Sequence, residues 1–269
     1  MRVAILTSTE PRHQFFVARI AAQWDVAAIV QENTGYSPAR TVEFDLSPEE
    51  AAIVKAYYED RSREESVMCA RISMSLDGSR RVPTLGVDKS TLNSSETIQF
   101  INEARPEVVL VYGTNLIKPP LLDAFAGRMV NMHLGLSPYY RGTATNFYPL
   151  LNDEPEYIGA TIHLIDAGID SGAILAHARP AISADDRPHT IGCNAIDAGI
   201  EALLRAVPEW VRGNRQLVPQ WQAETPRLYL RKHFHPRQVV ELNALVRDGL
   251  IRRYVERASI VAPRVQLVN

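Results

Sequence analysis

Cysteine is almost absent: Cys69 and Cys193 are the only two, and they show no C-x-x-C spacing. That scarcity argues against a disulfide framework or a cysteine-built zinc centre, and it fits a reducing compartment. Long apolar runs are missing as well. No uncharged stretch approaches the roughly 18–20 residues that a bilayer-crossing helix needs. The opening run MRVAILT meets Glu10 and Arg12 too soon for a signal peptide, so a soluble, cytoplasmic protein without a membrane partner is expected. Neither an internal repeat nor a low-complexity segment is present. There is no net excess of charge either. With 29 Lys+Arg against 31 Asp+Glu the balance is −2, which gives no reason to expect a nucleic-acid partner. The charge is unevenly spread, since residues 205–269 hold 12 Lys/Arg and 5 Asp/Glu.

What is present is an ordinary globular composition, 46% hydrophobic over 269 residues, enough for one large α/β domain with a short appendage. Short apolar runs alternate with helical patterns. Val3–Thr7, Val26–Val30, residues 84–88, Glu107–Tyr112 and Met129–His133 read as strands, and EVVLVY is apolar enough for burial on both faces. Helices are predicted over about 12–23, 47–69, 94–104, 118–126 and 190–212. The second of these starts at Ser47-Pro48-Glu49-Glu50, where Ser47 can cap, Pro48 suits the first position and Glu50 can close a capping box. The β-α-β order implies a doubly wound, mainly parallel, Rossmann-like sheet.

After residue 156 the rhythm changes. Residues 157–165 and 173–182 are strands joined by a link of only seven residues, which suits an antiparallel hairpin. The helix at 190–212 should bury Ile191, Ala195, Ile200, Leu203, Leu204, Val207 and Val211, and Gly213 should stop it. The expected division is a catalytic domain over 1–212 and a C-terminal extension over 213–269, irregular and then helical. The helical part carries one apolar stripe of Val239, Leu242, Leu245, Val246, Leu250 and Tyr254.

Chemistry-bearing residues gather in two places. One is the segment NMHLGLSPYYRG at 131–142, at the end of a buried strand; the other is the hairpin link with Asp166 and Asp170. Alternation along a strand puts Asn131 and His133 on one face, beyond the carboxyl end of the sheet, where ligands of doubly wound folds bind. An amide, an imidazole and a carboxylate form a workable kit for acyl transfer: oxyanion donor, proton carrier and orienting anion. From the residues alone, a structural role for that histidine stays open. His163 reads as structural, and His233 and His235 have no third ligand spaced to join them, so no metal is expected.

The run NMHLGLSPYYRG, followed by HLIDAGIDSGAIL at 163–175, resembles the folate-dependent formyltransferase family. That family includes glycinamide ribonucleotide, methionyl-tRNA and sugar N-formyltransferases. Its pattern of Asn-x-His, a proline five residues on, and a later Asp-x-Gly falls on Asn131, His133, Pro138, Asp170 and Gly172. The resemblance covers residues 1 to about 212, with specific motifs from 107 to 176. It implies direct transfer of a formyl group from 10-formyltetrahydrofolate to an amine, with Asn131, His133 and Asp170 catalytic. Asp170 is expected to keep His133 oriented and partly charged near neutral pH. Folate would lie between Tyr112, Gly113, Thr114, Asn115, Leu116 and Ile117 on one side and Asp166, Ala167, Gly168 and Ile169 on the other. By their residues alone, the first segment reads better as an ordinary strand-to-helix turn, and the second equally well as a plain Asp/Gly turn.

Departures from the family pattern bear on the acceptor. The turn after the first strand, Ser8-Thr9-Glu10-Pro11-Arg12-His13, lacks the glycines that cradle a phosphate in glycinamide ribonucleotide enzymes. The 55 or so residues after the catalytic domain are too few for the C-terminal barrel of methionyl-tRNA enzymes. A nucleotide-linked amino sugar is therefore the expected acceptor, shaped by Tyr139, Tyr140 and Arg141, with Arg141 and the basic tail available to a diphosphate. Other amines, a formyltetrahydrofolate hydrolase and a non-catalytic folate binder are the alternatives. The oligomeric state is left open, a homodimer included.

Overall fold

Strands that are apolar on every side must be covered on both faces, and the chain meets this with one sheet between two helical layers. The computed structural model describes residues 1–33, 44–72 and 82–269. Its first strands are β1 (Arg2–Thr7), β2 (Asp25–Glu32), β3 (Thr84–Val87), β4 (Val108–Tyr112) and β5 (Met129–Leu134). These five are parallel in the order β3-β2-β1-β4-β5. Helices α1 (Pro11–Ala21), α2 (Pro48–Ala70), α3 (Ser95–Ala104) and α4 (Leu121–Ala124) make the crossovers. Alternation divides the core. Val3 and Ile5 pack with Phe16, Ile20 and Ile200, whereas Ala4 and Leu6 pack with Ile101, Leu121 and Phe125 on the other face.

The expected hairpin is present as β7 (Ala160–Leu164) and β8 (Ile174–Ala178), preceded by the short β6 (Tyr140–Gly142) and α5 (Tyr148–Leu151). β7 lies antiparallel on β5 and β8 antiparallel on β7, so the sheet ends β5-β7-β8. Helix α6 (Pro188–Val211) covers this end, with Ile200, Leu203 and Val207 fully buried. At roughly 1.5–3 kcal/mol for each large apolar side chain removed from water, that stripe holds the hairpin down.

Local signals fared well where they were strong. The capping box at the start of α2 is complete: Glu50 N–H donates to Ser47 Oγ at 3.2 Å, and Ser47 N–H to the Glu50 carboxylate at 2.7 Å. Four expectations are corrected. α4 is shorter than 118–126 because Pro119 and Pro120 delay its start. β8 stops before residue 182, where Pro180 offers no N–H to the ladder. Val211 is 43% exposed, not part of the buried stripe. The last apolar stripe is two helices, α7 (Arg237–Arg247) and α8 (Leu250–Val261), broken at Gly249 where φ is 84°.

The segment after α6 packs back onto the rest of the chain. β9 (Arg227–Tyr229) runs parallel to β6 in a small second ladder, and Val218 bridges Ile174 of β8. α7 and α8 share a hydrophobic cluster with Val54 of α2, Ile191 of α6 and the fully buried Tyr140.

Two substitutions separate the core from the cap. Leu203→Ala is expected to cost about 2–5 kcal/mol and Ser47→Ala about 1 kcal/mol. Urea unfolding at constant m-value measures both, and a Leu203→Ala loss no larger than the cap's contradicts the assignment of α6 to the core.

Candidate active site

β5 carries two polar residues on one face because a strand alternates: Val130 and Met132 enter the apolar core, while Asn131 and His133 point the other way. β7 pairs alongside in a register that sets Asn131 opposite His163 and His133 opposite Thr161. The link from β7 to β8 then returns over the end of the sheet. It is folded on Asp166, whose Oδ1 accepts from Gly168 N–H at 3.0 Å and from the Ser171 hydroxyl at 2.8 Å. Asp170 follows in the left-handed region, at φ 47°, and its carboxylate faces β5.

Asn131, His133 and Asp170 do meet. Asp170 Oδ2 lies 3.3 Å from His133 Nδ1 and accepts from Gly142 N–H at 2.8 Å. Its Oδ1 accepts from Asn131 Nδ2 at 3.4 Å and lies 3.7 Å from His163 Nε2. His163 Nδ1 donates to the Leu164 carbonyl at 2.7 Å, so its Nε2 is left to accept from Asn131 Nδ2 at 3.1 Å. His163 therefore belongs to the cluster, as the partner that aims the Asn131 amide. Sequence offered only its place in an apolar strand.

Each nitrogen of His133 faces an acceptor: Nδ1 the Asp170 carboxylate, and Nε2 the Tyr140 carbonyl at 3.0 Å. The ring is 6% exposed, and burial pushes its pKa below the ordinary histidine value, with Arg141 and His163 adding to the effect and Asp170 opposing it. The balance favours the neutral ring, against the expectation that Asp170 keeps it partly charged, while Asp170 and the Tyr140 carbonyl both favour the proton. Burial works the other way on Asp170 and would raise its pKa. His133, His163 and the Gly142 N–H outweigh it and hold the carboxyl far below the usual carboxylate range.

The other candidate residues are distributed unevenly. Tyr140 supplies its carbonyl to His133, but its ring is fully buried, with its hydroxyl on Glu154 and Arg227 5.1 Å above its face, so the ring does not line a pocket. Tyr139 packs on Tyr157 and Trp221. Arg141 forms no hydrogen bond or ion pair among the described residues, and its Nε is buried without a partner. Gly142 is required where it is: φ is 96°, and a Cβ there would stand 1.9 Å from the Tyr229 carbonyl oxygen of β9.

In the segment 112–117, the Tyr112 ring is buried against His13 and Phe16. The bare face of Gly113 is taken up by His13, whose Nε2 would lie 2.1 Å from a Cβ, so that close approach serves the fold. Thr114 bonds the Asn115 carbonyl, and Asn115 is gripped by buried Glu32, which accepts from its N–H at 2.7 Å and its side-chain amide at 2.6 Å. Leu116 is 52% exposed, and Ile117 packs against the same apolar cluster as Ile165 at the start of the opposite link. Ala167 and Gly168 are exposed, and Ile169 is half-buried. Both segments therefore rest on the same apolar cluster. Among the described residues no group of three or more His, Cys, Asp or Glu could hold a metal, and no helix is long and apolar enough to cross a membrane.

The family model described as Formyl transferase matches residues 3–207. A methionyl-tRNA formyltransferase from Finegoldia magna is 36% identical over 102 residues, covering 36% of this chain and 32% of that protein. Its counterpart from Caldanaerobacter subterraneus is 31% identical over 142 residues, covering 52% and 45%. The chain thus spans less than half the length of these two relatives. Among solved structures, a sugar N-formyltransferase from Shewanella sp superposes with a TM-score of 0.55 at 17% identity, covering 90% of this chain and 86% of that one. Phosphoribosylglycinamide formyltransferase from Anaplasma phagocytophilum gives 0.56 at 13% identity, covering 86% and 97%. At such identities the likeness is one of fold.

A third histidine ties the site to Val268 and sets an acid dependence. His177 Nε2 donates to the Ser137 carbonyl at 2.8 Å, and its Nδ1 accepts from Val268 N–H at 2.9 Å, a pair only the neutral ring can make. Burial first, and the charges of Arg179, His163 and His133 after it, push its pKa down to about 4 despite the Ser137 bond. A depressed histidine gives stability that is full above its unfolded value of 6.5 and lost as pH falls toward 4. Between pH 7.5 and pH 5 the loss from this group is roughly 2 kcal/mol, and His177→Gln is expected to remove it. Chemical denaturation at the two pH values measures the difference; equal acid slopes for the two proteins contradict it.

Proposed function

The chain belongs to the formyl transferase family, and on that premise we propose that it moves a formyl group from 10-formyltetrahydrofolate to a primary amine, with Asn131, His133 and Asp170 at the reacting centre. The observation that carries this reading is the Asp170 carboxylate, 14% exposed, touching both Asn131 and His133, at 3.4 and 3.3 Å. A purely structural cluster has no need of a neutral, desolvated imidazole with an acceptor waiting at each nitrogen.

The formyl donor supplies an electrophilic carbon and a nitrogen leaving group. The chain's residues supply the rest. Asn131 Nδ2 holds His163 firmly and Asp170 only at 3.4 Å, so the longer contact is the one exchanged when a formyl oxygen gains negative charge. Neutral His133 accepts the proton that the attacking amine must lose, and Asp170 and the Tyr140 carbonyl stabilise the resulting imidazolium. That proton then passes, directly or through water, to the departing nitrogen, and the ring returns to neutrality. The donor's flat heterocycle fits between 112–117 and 165–169, where exposed Leu116 and half-buried Ile117, Ile165 and Ile169 offer apolar walls and the backbone offers hydrogen bonds.

For the acceptor, the reading we favour is a nucleotide-linked amino sugar. Its support is Arg141, a guanidinium unpaired among the described residues and close enough to His133 to depress its pKa. The basic tail supports it less than its charge count suggests. Arg227 pairs with Glu154, Arg237 with Glu50 and Arg257 with Asp153, so part of that charge holds the fold together. A second reading has its own support. The curated relatives are named methionyl-tRNA formyltransferases, so the expectation that no nucleic acid is a partner loses its footing. Turnover with 10-formyltetrahydrofolate and a panel of dTDP- and UDP-linked amino sugars, glycinamide ribonucleotide and methionyl-tRNA decides between them. Formate release without any amine identifies a hydrolase instead.

Folate binding precedes the choice of acceptor. A hundredfold excess of 5-formyltetrahydrofolate over its dissociation constant is expected to stabilise the protein by about 2.7 kcal/mol, seen as a positive thermal shift. No shift at millimolar ligand, with no heat of binding, defeats the proposal. In the chemical step, Asn131→Ala should lower turnover about a hundredfold to a thousandfold, and His133→Ala at least a hundredfold. Because His133 acts from its neutral form, turnover is expected to rise with pH through a value below 6.5 and then level off. A His133→Ala enzyme that kept more than about a tenth of wild-type turnover would refute the mechanism.

A further inference from the structure

Gln220 lies beyond residue 207, where the family match ends, in the irregular stretch between α6 and β9. Its Nε2 donates to two carbonyls of the hairpin link, Asp170 O at 2.8 Å and Gly172 O at 2.9 Å. Carbonyls only accept, so these partners fix which way the amide faces, and Oε1 is turned away, buried and without a partner. Two residues earlier the same stretch is stitched to β8, with Val218 N–H on the Ile174 carbonyl at 2.9 Å and Ile174 N–H on the Val218 carbonyl at 2.8 Å. The clamp therefore has a rigid base. What it grips needs gripping, since Asp170 is a non-glycine residue held at φ 47°.

We propose that Gln220 is a positioning residue: its amide locks the Asp170–Gly172 turn in the one backbone conformation that sets both Asp170 oxygens against Asn131 and His133. The inference rests on the formyl-transfer reading for its consequence in turnover, but its geometric content stands apart from that reading. It also gives the C-terminal segment a share in the centre. Gln220 holds Asp170 from behind, while β9 holds β6, whose Gly142 N–H reaches Asp170 Oδ2.

The charged and titratable groups facing His133 are Asp170 from the link, His163 from β7 and Arg141 from β6. Of these charged groups Asp170 alone raises the imidazole's proton affinity, with the Tyr140 carbonyl beside it, so a carboxylate that swings away lowers the pKa of His133 further. The test uses full-length protein with Gln220→Ala and Gln220→Met, the second keeping the side chain's length while removing both N–H donors without adding charge. Histidine side-chain NMR follows His133 through its titration. In both variants its pKa is expected to fall by about half a unit or more, the acid limb of kcat to move the same way, and kcat to drop about tenfold or more with acceptor KM within about threefold. Gln216→Ala, an exposed neighbour, serves as the control and should match wild type. A folded Gln220→Met protein whose His133 titrates as in wild type overturns the inference. Absence of turnover in the unaltered chain defeats the formyl-transfer reading instead, and the NMR titration still decides the role of Gln220.

Discussion

A carboxylate stays ionised out of water only where donors and positive charge surround it, and the candidate centre is organised around meeting that condition for Asp170. The groups that meet it come from separate parts of the chain: Asn131 and His133 from β5 and the Gly142 N–H from β6, with His163 of β7 aiming the Asn131 amide. Each imposes a structural demand elsewhere. β7 must pair with β5 antiparallel and in one register, because a one-residue slip would turn His163 to the other face. β6 must run where Gly142 can reach the carboxylate, and position 142 must be glycine because β9 passes so close behind it. The hairpin, the small second ladder and the closing helices can be understood as the scaffold of one buried anion.

The same burial produces the opposing tendencies at His133. Asp170 beside it favours the imidazolium, while the loss of solvent favours the neutral ring, and desolvation prevails. For a group that must take a proton from an amine and return it to a departing nitrogen, that outcome is useful. The resting ring is a base, and the charged ring is short-lived but fully partnered. A more exposed site would leave His133 nearer its ordinary value and weaken the field of Asp170 through solvent screening.

Placement of the C-terminal residues has a similar logic. Their arginines look like a binding surface when counted, yet several close ion pairs with Glu50, Asp153 and Glu154. Their tyrosines and leucines close over the fully buried Tyr140. What remains beside the reacting residues is Arg141, a guanidinium unpaired among the described residues and near enough to His133 to act on its pKa. This contrast focuses attention on the acceptor's charge, whether it comes from a diphosphate or from a nucleic-acid backbone.

Much of the architecture was legible in the residues because it is governed by short-range rules. Continuous apolar runs marked β1 and β4; Ser47-Pro48-Glu49-Glu50 marked the start of α2; the seven-residue link marked a hairpin. Period-two alternation alone put Asn131 and His133 on one face. The errors came where the deciding partner lies far along the chain. Nothing near residue 140 says that Tyr229 and Glu154 will enclose its ring. No local pattern gives the bare face of Gly113 to His13, or brings His163 to the Asn131 amide across a strand pair. The charge on His133 was misjudged for the same reason: a motif shows the neighbouring carboxylate but not the water excluded by everything packed around it. Sequence by itself determined the order of elements and the kit of reacting groups, since both follow from local periodicity and residue type. The tertiary structure alone decided which groups touch and how they are protonated, since cross-strand register and desolvation are properties of the assembled fold.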